Sequence, residues 1–149
     1  MKRKLYHFKV LNKKFNAYSY FSQFAGNKKR AKEILSKELN IDIKEIKDDL
    51  RKTFYLHLTA KWFYQIKSRY KKEEYREITP YWEKRIKNLY KYDFICFCLG
   101  YPSKEEFEKF VVFKNPRFRI DTGKKEWGAE PGKNYFVIMF DELFEKPKF

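Results

Sequence analysis

Two cysteines and two histidines among 149 residues leave too few soft ligands for a metal site, and no CxxC or HxxxH spacing occurs. Cys96 and Cys98 stand two apart, so on a strand both thiols point to one face, an awkward spacing for a disulfide. They read as core thiols in a reducing compartment. The longest apolar runs, 94–99 and 135–140, are far too short to cross a bilayer, and the initial Met-Lys-Arg-Lys is not followed by the apolar segment of a secretory leader. Glycine and proline are scarce, at five each, and neither an internal repeat nor a flexible linker is visible. The expectation is a soluble, cytoplasmic protein with no cofactor, no bound metal and no membrane attachment.

Acidic residues are also in short supply. Against 35 Lys and Arg stand 20 Asp and Glu, a net charge of +15, so polyanions are the natural partners. Lysine predominates, and a solvated lysine-rich face without a ligand is the alternative. What the chain has in quantity is aromatic: 21% Phe, Tyr and Trp within 43% apolar residues fills a core without disulfides or cofactors.

Residues 5–11 and 15–21 are rich in aromatic and β-branched side chains, and Asn12-Lys13-Lys14 between them suggests a hairpin. Asn27 suits an N-cap for a helix marked by Ala31, Ile34, Leu35 and Leu39, with a second helical stretch expected over 43–50. Residues 1–51 hold 14 Lys and Arg against 6 Asp and Glu, hence +8 of the +15. The pattern changes after Lys52, which sets a basic extension over 1–52 and a second domain over 53–149. In that second part, strands are expected at 54–59, 73–78, 94–99, 110–113, 118–121 and 135–140. A helix over 60–69 presents Trp62, Phe63 and Ile66, and one that starts at Thr79-Pro80 presents Trp82, Ile86, Leu89 and Tyr90. Ser103 is placed to cap a short helical stretch before Phe107. Six strands and two early helices fit a small mixed barrel.

The run Arg69-Tyr70-Lys71-Lys72-Glu73-Glu74-Tyr75-Arg76 matches three of the four positions of the pattern G-x-K-x-x-E-x-R, with Arg69 in place of the glycine. On these residues the stretch 53–149 resembles an ASCH domain. The run Gly123-Lys124-Lys125-Glu126-Trp127-Gly128-Ala129-Glu130-Pro131, followed by an apolar strand, is similar to the late loop of members often found in phages. For 53–149 the resemblance implies a small PUA-like mixed β-barrel with two or three helices; with the ββα-type extension read from residues 1–52, the expected fold class is α+β. The resemblance also implies a link to nucleic acid, RNA ahead of DNA, or in some members to ribonuclease activity or hydrolysis of acetylated cytidine nucleosides.

On a strand Glu74 and Arg76 share a face, with Lys71 at the strand entry. A lysine and an arginine at a cleft mouth suit phosphate or a base edge, and Glu74 suits an amino group. Two cations beside it favour the ionised carboxylate, which makes Glu74 a weak general base. A plain Glu74 to Arg76 ion pair in the barrel wall is the structural alternative. In the amidohydrolase-like relatives a threonine stands where this chain has Glu74, so the hydroxyl nucleophile of that mechanism is missing here. A ribonuclease would have to draw on Lys71, Glu74, Tyr75 and His57, although strand alternation turns Tyr75 away and His57 reads as structural. Trp62 and Trp82 fall on apolar helical stripes and read as core. Trp127, in a loop with Gly and Pro, is the tryptophan expected to meet a ligand, with Lys124, Lys125, Arg117 and Arg119 as a phosphate track.

Three readings follow. The first is a nucleic-acid-binding module that uses a basic cleft at Lys71, Glu74 and Arg76. The second is a hydrolase on RNA or a modified nucleoside with Lys71 and Glu74 as catalytic groups, and the third is a phage-type interaction protein, with a host protein as partner, that uses its charge to inhibit a host nucleic-acid machine.

Overall fold

Alternating apolar residues at the start of the chain form a long hairpin. In the computed structural model, which describes residues 4–100 and 107–144, strand β1 (Lys4–Asn12) pairs antiparallel with β2 (Ala17–Ala25), Asn12 opposite Ala17. The Asn12 side chain accepts hydrogen bonds from the Lys14 and Phe15 amides, and Asn16 takes the left-handed conformation at φ 49°. These two asparagines make a four-residue loop, so β2 begins two residues later than the aromatic run suggests and extends to Ala25.

Helix α1 (Lys28–Leu39) is capped by the Asn27 side chain, which accepts from the Arg30 amide at 2.8 Å. It buries Ala31 and Leu35 against Phe8, Ala25 and Ile46. The second helix expected over 43–50 is instead one 3-10 turn (Ile43–Glu45) and strand β3 (Ile46–Asp48), which lies antiparallel to β1 with Ile46 opposite Val10. Pairing along the edge of β1 satisfies the backbone and buries Ile46, which outweighs a weak local helical preference.

Described residues 4–51 form one unit, and 52–100 with 108–144 form a second. The second comprises β4 (Thr53–Leu58), α2 (Ala60–Lys67), β5 (Glu73–Arg76), α3 (Pro80–Ile86), β6 (Phe94–Leu99), β7 (Phe110–Lys114), β8 (Arg117–Thr122) and β9 (Asn134–Met139). Thr79 caps α3 through its hydroxyl, and Pro80 occupies the first turn, where its missing N–H costs nothing. The stretch that Ser103 was expected to cap lies largely outside the described residues; the short 3-10 turn Phe107–Lys109 follows it.

The second unit holds two three-stranded sheets, ordered β4-β6-β7, with β4 parallel to β6, and β5-β9-β8, all antiparallel. Overall the described chain is α+β, with nine strands in three sheets and three helices. The continuation of β9 stitches its two sheets along one edge: the Asp141 amide donates to Lys114 O at 2.8 Å, and the Phe144 amide to Val112 O at 2.8 Å. No second ladder closes a barrel among the described residues.

The core between these sheets contains Leu56, Phe63, Ile66, Ile86, Phe97, Phe113, Ile138 and Phe140. The Phe113 and Phe140 rings lie 4.6 Å apart and Phe97 and Phe140 5.1 Å apart, close aromatic packing that fixes one end of this core. Cys96 and Cys98 are free and buried, with sulfurs 3.9 Å apart on one face of β6, and burial pushes the Cys96 thiol well above its ordinary value. No described helix is long and apolar enough to cross a membrane.

Candidate functional site

The segment that joins α2 to β5, together with β5 itself, carries the Lys/Glu/Arg pattern. Arg69, where the pattern has glycine, sits at φ 69°, in the left-handed region that favours glycine. Its guanidinium lies 4.8 Å from the Phe113 ring centre and Nη1 reaches Asp141 O at 3.4 Å, contacts that offset the backbone strain. The sharp reversal at Arg69 turns the chain so that Lys71, whose amide donates to Gln65 O, points inward.

Lys71 is 1% exposed and Glu74 3%, and Lys71 Nζ donates to Glu74 Oε1 at 2.8 Å. The same oxygen accepts from the Tyr75 amide at 2.9 Å. Arg76 Nη1 lies 3.4 Å from Glu74 Oε2, within ion-pair range but without hydrogen-bond geometry, and donates instead to Tyr75 O at 2.9 Å. Burial holds Lys71 below the ordinary lysine range; Glu74 opposes that shift and Arg76 adds to it. The Trp62 ring, 4.3 Å from Nζ, completes the enclosure.

These residues line a cleft of about 470 Å³ together with Trp82, Trp127, Gly128, Thr79, Tyr75 and Tyr135. Trp62 and Trp82, expected in the core, are half-buried walls of it, and of the two Trp82 also packs against the core. Helical spacing gave each its face but not what covers that face. Trp127, expected to meet a ligand from its loop, does line the cleft, but it is only 8% exposed and packs with Tyr75, Ala129, Tyr135 and Val137. It lies in the 3-10 turn Lys125–Trp127, which Gly128 ends at φ 103°. A Cβ on Gly128 would lie 2.9 Å from Trp62, so only glycine lets the loop backbone close on that ring.

Two buried polar atoms of the lining, Glu74 Oε2 and Trp127 Nε1, have no hydrogen-bond partner. One is an acceptor, held in ion-pair range of Arg76 at 3.4 Å, and the other a donor. The hydroxyls, by contrast, are engaged. Thr79 accepts from the Trp82 amide, Tyr135 from the Glu130 amide at 3.0 Å, and Tyr75 donates to Glu73 while accepting from the Lys124 amide. Burial, with Glu73 adding to it and the Lys124 amide opposing, pushes the Tyr75 phenol upward and keeps it neutral.

The charge of the lining departs from the expected basic cleft. Lys71 and Arg76 stand against Glu74, Glu77 and Glu130, and Glu77 is further paired with Lys133 at 2.9 Å. Nor are the other expected phosphate contacts part of it. Arg119 lies opposite Val137 on β9, which in turn lies opposite Tyr75, so it projects from the sheet face away from Glu74 and Arg76. It pairs with Glu73 and Asp121 at 3.1 and 3.2 Å, and Arg117, on the same face, with Asp141 at 2.8 Å. Lys124 covers the Trp127 ring at 4.4 Å and Lys125 faces solvent. His57 lies outside the lining; Nδ1–H donates to Gly100 O at 2.6 Å, and its carbonyl accepts from Arg76 Nη2. Three or more metal-ligating side chains do not cluster anywhere among the described residues.

No family model, curated protein or solved structure matches the chain, so the likeness to the ASCH pattern stands on the residues 69–76 and 123–131 themselves.

Proposed function

We propose that the protein is an RNA-binding module in which the second unit, an ASCH-like, PUA-type open barrel, captures a single unpaired base in the tryptophan-walled cleft. The observation that carries this reading is the pair of buried atoms in the lining that make no hydrogen bond, the Glu74 Oε2 acceptor, which has only the longer ion-pair contact with Arg76, and the Trp127 Nε1 donor. A buried polar atom without a partner costs about 1–3 kcal/mol, a cost that a ligand with the complementary edge removes. An exocyclic amino group beside a ring acceptor, as in cytosine or adenine, is such an edge.

Volume and charge support the same reading. About 470 Å³ suits one nucleoside and is too small for a polymer segment. Two cations against three carboxylates disfavour phosphate in the cleft, while aromatic walls favour a base. Binding is favoured over catalysis because every hydroxyl of the lining already serves a backbone amide, and Glu74 Oε1 is held by Lys71 and the Tyr75 amide. RNA is preferred to DNA on the family resemblance.

All three tryptophans line the cleft, so their fluorescence reports its occupancy. Titration with cytidine and adenosine is expected to give saturable quenching. Trp127→Phe, which keeps the ring but deletes the N–H, is expected to weaken the response about 5- to 10-fold, the loss of one hydrogen bond to a buried partner. Absence of saturation by any nucleoside, or an unchanged affinity in Trp127→Phe, refutes the reading.

A further inference from the structure

The cleft has no excess of positive charge, yet residues 1–51 hold +8 of the chain's +15. The charge therefore needs a separate explanation, and the three-stranded sheet of the first unit offers one. Its two faces differ. Phe8, Val10 and Phe21 pack on the α1 side. On the other face, Leu5, His7, Ser22 and Phe24 are buried, while toward the hairpin register places Lys9 opposite both Tyr20 and Lys47, and Leu11 opposite Tyr18. Tyr18 is 45% exposed, Tyr20 52%, and Phe15 at the hairpin tip 70%.

Each of these rings has a cation over it: Lys9 at 4.7 Å from Tyr18, Arg51 at 5.1 Å from Tyr20 and Lys14 at 5.4 Å from Phe15. Arg51 also pairs with Asp49 and Lys13 with Glu45. Among the described residues no carboxylate pairs with Lys9, Lys14 or Lys47. Exposed aromatics on a sheet, interleaved with unneutralised lysines, present ring faces and edges for bases and fixed charge for the backbone between them. Strand geometry adds a spacing: Tyr18 and Tyr20 are two residues apart on one strand, about 6–7 Å, which is the reach of successive unstacked nucleotides.

We infer that the hairpin end of the β2-β1-β3 sheet, its exposed Tyr18, Tyr20, Lys9 and Lys47 together with Phe15 of the hairpin loop, is a second binding surface, for single-stranded RNA. Charge complementarity selects a polyanion, and ring stacking selects unpaired bases over a duplex. The choice of RNA rests on the reading of the cleft given above, whereas the sheet surface itself stands on its own geometry.

The test is fluorescence anisotropy of the full-length protein with a labelled oligouridylate of about 10 nucleotides, at low salt and across a salt series. Tyr18→Ala and Tyr20→Ala are each expected to weaken binding about 5- to 150-fold, as loss of one stacked base requires. Tyr18→Phe is expected to stay within about twofold because stacking survives. Lys9→Gln with Lys47→Gln is expected to reduce the slope of affinity against salt by roughly 1 to 2, a check that does not depend on the tyrosine variants folding. Both tyrosine variants are expected to bind free cytidine like the unmodified protein, and Trp127→Phe to weaken cytidine binding without the same oligomer loss, so failure of the cleft and failure of the sheet are separable. Unchanged oligomer affinity in both alanine variants overturns the inference. So does equal affinity for duplex RNA, tighter binding of the matching DNA strand, or displacement of RNA by polyglutamate at equal charge, which would point to an acidic protein instead.

Discussion

Replacing Glu74 by Gln tests the buried Lys71 to Glu74 pair. Glutamine keeps the volume and the bond from the Tyr75 amide but removes the charge that compensates an ammonium group only 1% exposed. Breaking a buried ion pair by removing one partner costs about 3–5 kcal/mol, because the other charge is left without compensation. Lys71 can limit that loss by giving up its proton. Burial and Arg76 already hold it below the ordinary lysine value of 10.5, and Glu74 is the one group that pulls it back up, so the substitution lowers it further.

The sign follows from linkage. Between the lowered value in the folded protein and 10.5 in the unfolded chain, the unfolded state binds more protons, so stability rises with pH across that window and the penalty is complete below it. The loss in Glu74→Gln is therefore expected to be largest near pH 7 and to shrink as pH approaches 10. The assay is urea unfolding followed by tryptophan fluorescence, since all three tryptophans lie in the second unit and report it selectively. The double variant Lys71→Met, Glu74→Gln is expected to recover most of the loss, giving a coupling of at least about 2 kcal/mol in the double-mutant cycle. A single-variant loss below about 1 kcal/mol with no coupling would refute the reasoning, because that is how an exposed pair behaves.

Gly128→Ala places a Cβ 2.9 Å from Trp62 at φ 103°, and is expected to destabilise the second unit by about 1–3 kcal/mol and to shift the tryptophan emission before denaturant is added. At Arg69, Arg69→Gly is expected to be about 1 kcal/mol more stable than Arg69→Ala, roughly 4–8 °C in Tm, since both lose the Phe113 contact but only glycine relaxes the left-handed backbone. Cys96 and Cys98 are expected to resist a thiol reagent in the native state and to react once denatured, which thiol titration with and without denaturant measures.

Much of the fold was legible where local chemistry and burial agree. Asn27 and Thr79-Pro80 announce helices because a cap works within four residues, and the run Phe94–Leu99 is so apolar that only a strand buried on both faces accommodates it. Over 43–50 the expected helical turn is present only at Ile43–Glu45, because the edge of β1, distant in sequence, draws Ile46–Asp48 into a strand. The same limit applies to the site. Alternation correctly put Glu74 and Arg76 on one face, and Arg117 with Arg119 on another strand's face. It gave no means to see that Glu73 on β5 reaches Arg119, or that the lining brings in Glu77 and Glu130. Trp62 carried one usable signal: it precedes the fully buried Phe63 on α2 and so sits at the edge of the helix's apolar stripe, where a cleft can open.

The cleft is tested most directly by the indole N–H of Trp127, one of three such signals in a proton–nitrogen correlation spectrum and assignable with Trp127→Phe. On addition of cytidine or adenosine this signal is expected to move downfield and its exchange with water to slow, as the unpartnered donor gains an acceptor. A Trp127 signal that stays in place while nucleoside saturates the protein would contradict the cleft as the base-binding site.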